Sequence, residues 1–449
     1  MGQQRSATLL ALDSNTGKIR WLQPLRTGRD FYSRGAIAAN GTVILGVAES
    51  STTEREQRLD TYRIRAFDVQ SGEPLWTTNP LVDETKDGIG YWFASNDAID
   101  VQPNVVYVQM GDELRSLDPR TGQQRWAMKR PWLNPNDRAL RFGLGIVATE
   151  ESLAVLQLGR NQRVLQTINP KTGTVIRQIT LPFKPLESTS NRITVGNRLA
   201  FLETSGQIPA GDNAFLPSGQ STLTAYNLET GQIQFRIPIA GEINNLRAVD
   251  QTLQLSTDPV IDFKSNPSKP RSEGQFMGLD LQTGRVLWQK SEAQIRCYGS
   301  YRAWRVSAES VYLNCNRRQD IRDSSTIVSL SARTGQIQWE TLVSPDNHSD
   351  TAPSAIASRQ FLTFRRVSGA NESQLQAIAL DRQTGKLLWS KAFFNSQDLP
   401  YMDSFRATIA TDQNKVFVLD AVPQWQLWLL SLNRDWYLNQ AIEAKVLST

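Results

Sequence analysis

Histidine is almost missing from this chain: a single imidazole, His348, stands among 449 residues. Zinc, copper and non-haem iron sites built on several imidazoles are thereby excluded. A Ser-His-Asp triad would have to run through His348 itself, between Asn347 and Ser349 in a polar stretch. Cysteine is nearly as scarce. Cys297 and Cys315 are the whole supply, and neither belongs to a Cys-x-x-Cys or haem-attachment pattern. They flank the segment Tyr298–Asn314, which reads as a β-hairpin, so the pair is a candidate disulfide. Two buried unpaired thiols are the other reading. No apolar run approaches eighteen residues, which excludes a transmembrane helix in this sequence. An excess of one charge is lacking too. Lys and Arg number 49 against 44 acidic residues, a net +5, interspersed rather than clustered as in a nucleic-acid binder. No glycine-rich phosphate loop is present.

What the chain does have is a repeat. The pattern apolar-x-Ala-apolar-Asp-x-x-Thr-Gly-x-x-x-Trp is most complete at Leu9–Trp21, Phe276–Trp288 and Ala377–Trp389. Its glycines are Gly17, Gly72, Gly122, Gly173, Gly231, Gly284, Gly335 and Gly385, spaced 50–58 residues apart. That period suits a four-stranded β-blade. Asp13, Asp68, Asp118, Asp280 and Asp381 can bond the amides of their own turns, while glycine accepts the positive φ such turns need. Trp21, Trp76, Trp126, Trp288, Trp339 and Trp389 are positioned to fill the wedge between neighbouring blades. One repeat substitutes Phe235, and the fourth has Arg177.

This motif resembles the tryptophan-docking repeat of quinoprotein-type β-propellers, and the resemblance covers roughly residues 7–435. The family includes pyrroloquinoline-quinone dehydrogenases as well as non-catalytic propellers of outer-membrane β-barrel assembly, and the chain looks nearer the latter. The resemblance implies an all-β, eight-bladed β-propeller with four-stranded antiparallel blades, residues 1–449 forming one domain. The chain opens on a third strand, Thr8–Leu12, so the ring is expected to close with C-terminal strands, Phe405–Ile409 and Lys415–Asp420. A partial ninth repeat is read near 405–440. Quinoprotein dehydrogenases clamp their cofactor with a vicinal Cys-Cys disulfide and hold Ca²⁺ beside it. Here the cysteines lie eighteen residues apart, and no matching Asp–Asn–Glu set is found. The expectation is therefore no cofactor, no metal and no catalytic residue. The alternative is an alcohol or sugar dehydrogenase using pyrroloquinoline quinone and calcium.

Connection lengths point to one elaborated face. Turns such as Asn40-Gly41 and Arg333–Gly335 are short, whereas Glu49–Asp60, Asn79–Asn96, Lys129–Arg141, Ser205–Gln220, Thr257–Gly274 and Phe394–Ser404 are long. Long loops on a rigid scaffold are where binding concentrates. The aromatic and arginine residues there, types enriched at interface hot spots, make Arg34, Tyr91, Trp92, Phe93, Trp132, Arg141, Arg302 and Arg406 the candidate partner- or anion-binding set. Phe31, Tyr32, Arg138, Tyr301, Tyr401 and Phe405 stand beside them. Arg34, Arg302 and Arg406 recur near the start of the innermost strand, where guanidinium groups can ring one mouth of the channel and receive carboxylates. Pairing with neighbouring carboxylates is the structural alternative. The sequence reading is thus a monomeric, non-catalytic scaffold or assembly factor that binds a protein partner. Its expected compartment is periplasmic or otherwise extracytoplasmic, with any targeting segment or membrane tether upstream of Met1.

Overall fold

Each motif turn is shut by its own side chains. In the first, the Asp13 carboxylate accepts from the amides of Asn15 and Thr16 and from the Thr16 hydroxyl, at 2.9–3.2 Å. The Gly17 amide then donates to the Asp13 carbonyl at 2.8 Å. The same closure recurs at Asp68, Asp118, Asp280 and Asp381, and asparagine supplies it at Asn169 and Asn227. At Asp118 the Arg125 guanidinium adds a bond of 2.7 Å, and together these donors hold the carboxyl down at about 2 despite partial burial. Carboxylates that accept several N–H bonds behave in this way.

The computed structural model describes residues 5–423 apart from 26–29, 40, 53–57, 80, 83–98, 103, 111–112, 130–144, 149–152, 159–162, 182–186, 189–192, 197, 212–213, 262–269, 298–303, 320–321, 345–353, 358, 369–372, 396–407 and 413–414. The described residues form antiparallel sheets, with one short helix at Glu292–Ile295. A representative sheet runs Ser354–Ile356, Gln360–Ser368, Ser373–Asp381, Leu387–Asn395, in both space and sequence. The first strands stand beside one another in a closed circuit. Asp30–Ala39 is followed by Ile99–Gln102, Gly145–Ala148, Ile193–Gly196, Ile243–Val249, Trp304–Val306, Ser354–Ile356 and Thr408–Asp412, which returns to Asp30–Ala39.

The expectation of an eight-bladed propeller of four-stranded blades is corrected by the strand order, which gives seven blades and a terminal sheet. Seven blades are each made from one continuous stretch of chain, and they hold four or five strands. The remaining sheet is a composite of Ile19–Leu25, Arg5–Asp13, Lys415–Pro423 and Thr408–Asp412. Counting glycines counts motif turns, not sheets, and so gives every turn an equal blade. Unequal strand lengths break that equality. Arg58–Asp68 is 11 residues long, whereas its outer neighbour Pro74–Thr77 has 4, and the short strand Leu81–Val82 covers the edge left over. Likewise Glu187–Ser188 pairs with the 13-residue Leu199–Gly211 beyond the reach of Ile193–Gly196. An uncovered strand edge invites pairing with another chain, which these additions prevent. Thr408–Asp412 and Lys415–Pro423 close the ring with the N-terminal strands, in register from Arg5↔Pro423 to Asp13↔Lys415, and the rest of the partial ninth repeat read near 405–440 lies outside the described residues.

The core lies between sheets rather than within any one of them. Leu10 and Leu12 of the composite sheet pack with Leu362, Phe364, Ala377 and Trp389 of the preceding blade. At seven of the eight wedges an aromatic ring meets the glycine of the next motif; at Gly231 Ile179 and Arg177 stand there instead. A Cβ built on Gly72 would sit 2.6 Å from Trp21, and one on Gly17 would sit 2.6 Å from Trp389. Only glycine tolerates both that approach and a φ of +76 or +67. The indole N–H of Trp21 donates to the Val69 carbonyl at 3.0 Å. Trp76, Trp126, Trp288 and Trp339 do the same to Pro119, Pro170, Ala332 and Arg382 at 2.8–2.9 Å. Trp389 closes the series on Ser14.

Candidate functional site: the hairpin face and the bore

Motif turns join third strands to fourth strands, so in an antiparallel blade they leave the hairpins between second and third strands at the opposite end of the sheet. Those hairpins are where the blades differ. Thr42–Thr52 and Arg58–Asp68 stay paired out to Thr52↔Arg58. Leu199–Gly211 and Ala214–Asn227 stay paired to Gly211↔Ala214, with bulges on the way. Ser310–Gln319 pairs with Arg322–Ser331, and Gln360–Ser368 with Ser373–Asp381, each to its last residue. Between Thr252–Thr257 and Gln275–Asp280 rises a separate two-stranded ribbon, Val260–Ile261 with Pro270–Ser272. Of the connections read from sequence as long loops, Glu49–Asp60 and Ser205–Gln220 are thus largely hairpin extensions, while Thr257–Gly274 holds the ribbon strands, with 262–269 outside the described residues. Alternation in polar, short-side-chain segments is weak, which is why sequence alone left them as loops.

Most of the candidate partner- or anion-binding residues cannot be placed by this geometry. Tyr91, Trp92, Phe93, Trp132, Arg141, Arg302 and Arg406 lie outside the described residues, as do Arg138, Tyr301, Tyr401, Phe405 and His348. Phe31 and Tyr32 lie on the strand Asp30–Ala39, opposite Glu49 and Ala48. The backbone of Arg34 falls in the bulge between Ser33 and Ala36 of that strand.

The bore has other arginines that sequence reasoning passed over. Arg247 and Arg305 occupy the neighbouring first strands Ile243–Val249 and Trp304–Val306, and both side chains are exposed. The Arg305 Nε–H donates to the Ser354 carbonyl of the next first strand at 2.7 Å, stitching two blades at the bore. Desolvation, then the charge of Arg247, holds its pKa below the ordinary guanidinium value. A side chain that water reaches while protein surrounds it is one lining a channel. The signal available in sequence was the arginine in the alternating stretch Ile243–Val249, which carries no motif of its own.

Other buried polar groups join blades rather than forming a reactive cluster. Glu203, fully buried, accepts from the Ser221 hydroxyl at 3.1 Å and from the amide of Ile243 in the next blade at 2.9 Å. Cys297 and Cys315 form a disulfide with Cα atoms 4.7 Å apart, inside the wedge that holds Phe276, Trp288, Val311 and Val328. Cys297 follows the helix Glu292–Ile295 and Cys315 lies on Ser310–Gln319, so the bridge ties the crossover between two blades to the second of them. A buried inter-blade bridge of this kind does not fit the vicinal clamp over a quinone ring. Among the described residues no group of three or more His, Cys, Asp or Glu side chains is arranged to hold a metal ion. No described helix is long and apolar enough to cross a membrane.

A family profile described as outer membrane protein assembly factor BamB matches residues 2–131 and 160–428 of the chain. The unmatched interval contains Trp132, Arg138 and Arg141. No curated protein matches it in sequence. Among solved structures, a europium-containing methanol dehydrogenase is 11% identical, with 85% of this chain and 82% of that one covered at a TM-score of 0.47. The quinohemoprotein alcohol dehydrogenase from Comamonas testosteroni is 11% identical, covering 91% and 75% at 0.47. Saccharomyces cerevisiae Sqt1 is 10% identical, covering 88% and 98% at 0.48.

Proposed function

Since the chain belongs to the family described as outer membrane protein assembly factor BamB, we propose that it is a non-catalytic scaffold that docks a protein partner on its hairpin face. The observation that carries this reading is the asymmetry between the two ends of the blades. One end has closed, self-bonded turns; the other carries paired hairpins reaching Thr52, Gly211, Gln319 and Ser368. Among the described residues, Leu81–Val82 and Glu187–Ser188 stop short of the tips of the two hairpins they flank, and tips that extend past their cover suit docking by strand addition, in which main-chain bonds supply affinity. A scaffold that helps outer-membrane proteins assemble is the role we assign. The Cys297–Cys315 bridge supports an oxidising, extracytoplasmic compartment for it.

The reading has a direct test. A photo-crosslinking residue is placed at Ser51 or Ile208 on the hairpin face, and at Gln123 or Gln336 on the motif-turn face. Adducts with one recurrent partner should form from the hairpin positions alone, and equal yields from both ends would overturn the assignment. Reduction of a dye by the pure protein, supplied with calcium, pyrroloquinoline quinone and an alcohol or aldose, should stay at background. Clear turnover would replace the scaffold with an oxidoreductase.

A further inference from the structure

We propose that Glu292 is a proton-operated latch that fastens the two feet of the ribbon Val260–Ile261/Pro270–Ser272 to the crossover carrying the Cys297–Cys315 bridge. This deepens the scaffold reading by giving the hairpin face a regulated element. Its test needs no partner, so either idea can fail alone.

Glu292 opens the helix Glu292–Ile295, a strap between the outer strand Val286–Ser291 and Cys297. The strap is well held. Ser291 and Gln294 form a reciprocal capping box, at 3.3 and 2.9 Å, and the Cys297 amide donates to the Glu292 carbonyl at 3.0 Å. The Glu292 side chain is 7% exposed, and its Oε1 has no hydrogen-bond partner. A buried carboxylate oxygen without a donor is costly, whereas the protonated group is not charged.

The surroundings sharpen the point. Asp258 stands two residues before the first ribbon strand and Glu273 immediately after the second. Both carboxylates act on Glu292. The Glu292 amide donates to the Gly274 carbonyl at 3.1 Å, and the Ala293 amide reaches Glu273 Oε2 at 3.4 Å. From the first strand's side, Asn244 donates to the Asp258 carboxylate, and the Asp258 amide donates to the Glu242 carbonyl at 2.9 Å. Lys290 and Arg296 flank the strap in sequence, and Arg271 lies on the second ribbon strand. Burial first, then Glu273 and Asp258, push this carboxyl up to about 7, against opposition from the Gly274 backbone amide.

The sign follows from linkage. A carboxyl raised in the folded state stabilises it fully below its ordinary 4.5, and that contribution is lost as pH rises through about 7. Once ionised, Glu292 faces two carboxylates at the ribbon's feet, and like charges drive the feet from the strap. An acidic medium holds the ribbon down; an alkaline one frees it.

Amide hydrogen exchange of the wild-type chain, followed from about pH 5.5 to 8.5, tests this. Exchange at 260–261, 270–272 and 292–297 should rise about tenfold beyond the intrinsic base-catalysed trend, the factor carried by one unit of pKa. Glu292→Gln should show the intrinsic trend alone. The same excess in both proteins overturns the latch. Should the variant fail to fold, the glutamate carboxyl carbons of the labelled wild type are titrated by NMR. One carboxyl titrating near neutrality upholds the proposal, and all titrating in the ordinary range sinks it.

Discussion

Arg177 occupies the place that six repeats give to tryptophan and one to Phe235, and its wedge is visibly looser. A Cβ on Gly231 would meet Ile179 and Arg177 only at 3.4–3.6 Å, against 2.5–2.6 Å for the tryptophan beside Gly72, Gly335 and Gly385. The Arg177 head reaches the Thr230 carbonyl at 3.3 Å, and the Thr167 hydroxyl makes a long 3.4 Å contact with the Leu228 carbonyl. Leu228 holds the place whose carbonyl takes an indole N–H in other wedges. An indole at 177 would fill the gap and donate to that carbonyl. Arg177→Trp should therefore raise the melting temperature, by about 0.5–2 kcal/mol of stability, as cavity filling commonly does. Calorimetry showing a lower midpoint would mean that this wedge is shaped for the arginine. At this scale the sequence was highly legible: Asp, Thr, Gly and Trp each have a job set by local geometry. Arg247, Arg305 and Glu292 were not, because nothing in their neighbours announces a bore or a buried strap.

Among the elements, the helix Glu292–Ile295 and the bridge it leads to have no counterpart at the other described crossovers. Sequence reading placed the two cysteines around a hairpin and left their state open. The hairpin is there, Trp304–Val306 with Ser310–Gln319, and Cys297 also ends a strap from the preceding blade, so the disulfide lies in the wedge between blades. Replacing the pair, Cys297→Ala with Cys315→Ala, should cost about 2–4 kcal/mol, and reductant should bring the wild type to the same denaturation midpoint. A midpoint indifferent to both treatments would show that wedge packing alone holds this crossover. Hairpin extensions were the least legible elements. Their pairing is set by backbone bonds along polar segments, so no hydrophobic alternation marks it. One strand end shifted as well: the strand read as ending at Ile409 runs to Asp412, and 405–407 lie outside the described residues.

Across the whole molecule, the composite sheet carries the largest single consequence. Lys415–Pro423 lies between Arg5–Asp13 and Thr408–Asp412, and Trp389 donates across the same wedge to Ser14. Deleting residues 408–423 bares the inner edge of Arg5–Asp13 and opens the circuit of first strands. The shortened chain should lose its cooperative melting transition and elute earlier than the full chain in size exclusion, since bare strand edges associate. A truncated chain that melts as sharply as the full one would show that the wedges, not closure, hold the ring. The sequence by itself determined the repeat, the turn chemistry and the identity of each wedge residue, because these depend on contacts within about fifty residues of chain. The tertiary structure alone decided how many strands each sheet holds, which hairpins lengthen, which arginines face the bore and which buried carboxyl has an oxygen without a donor. Those outcomes depend on pairing length and on neighbours brought together from distant blades, and burial is a property of the folded surface rather than of any residue's position in the chain.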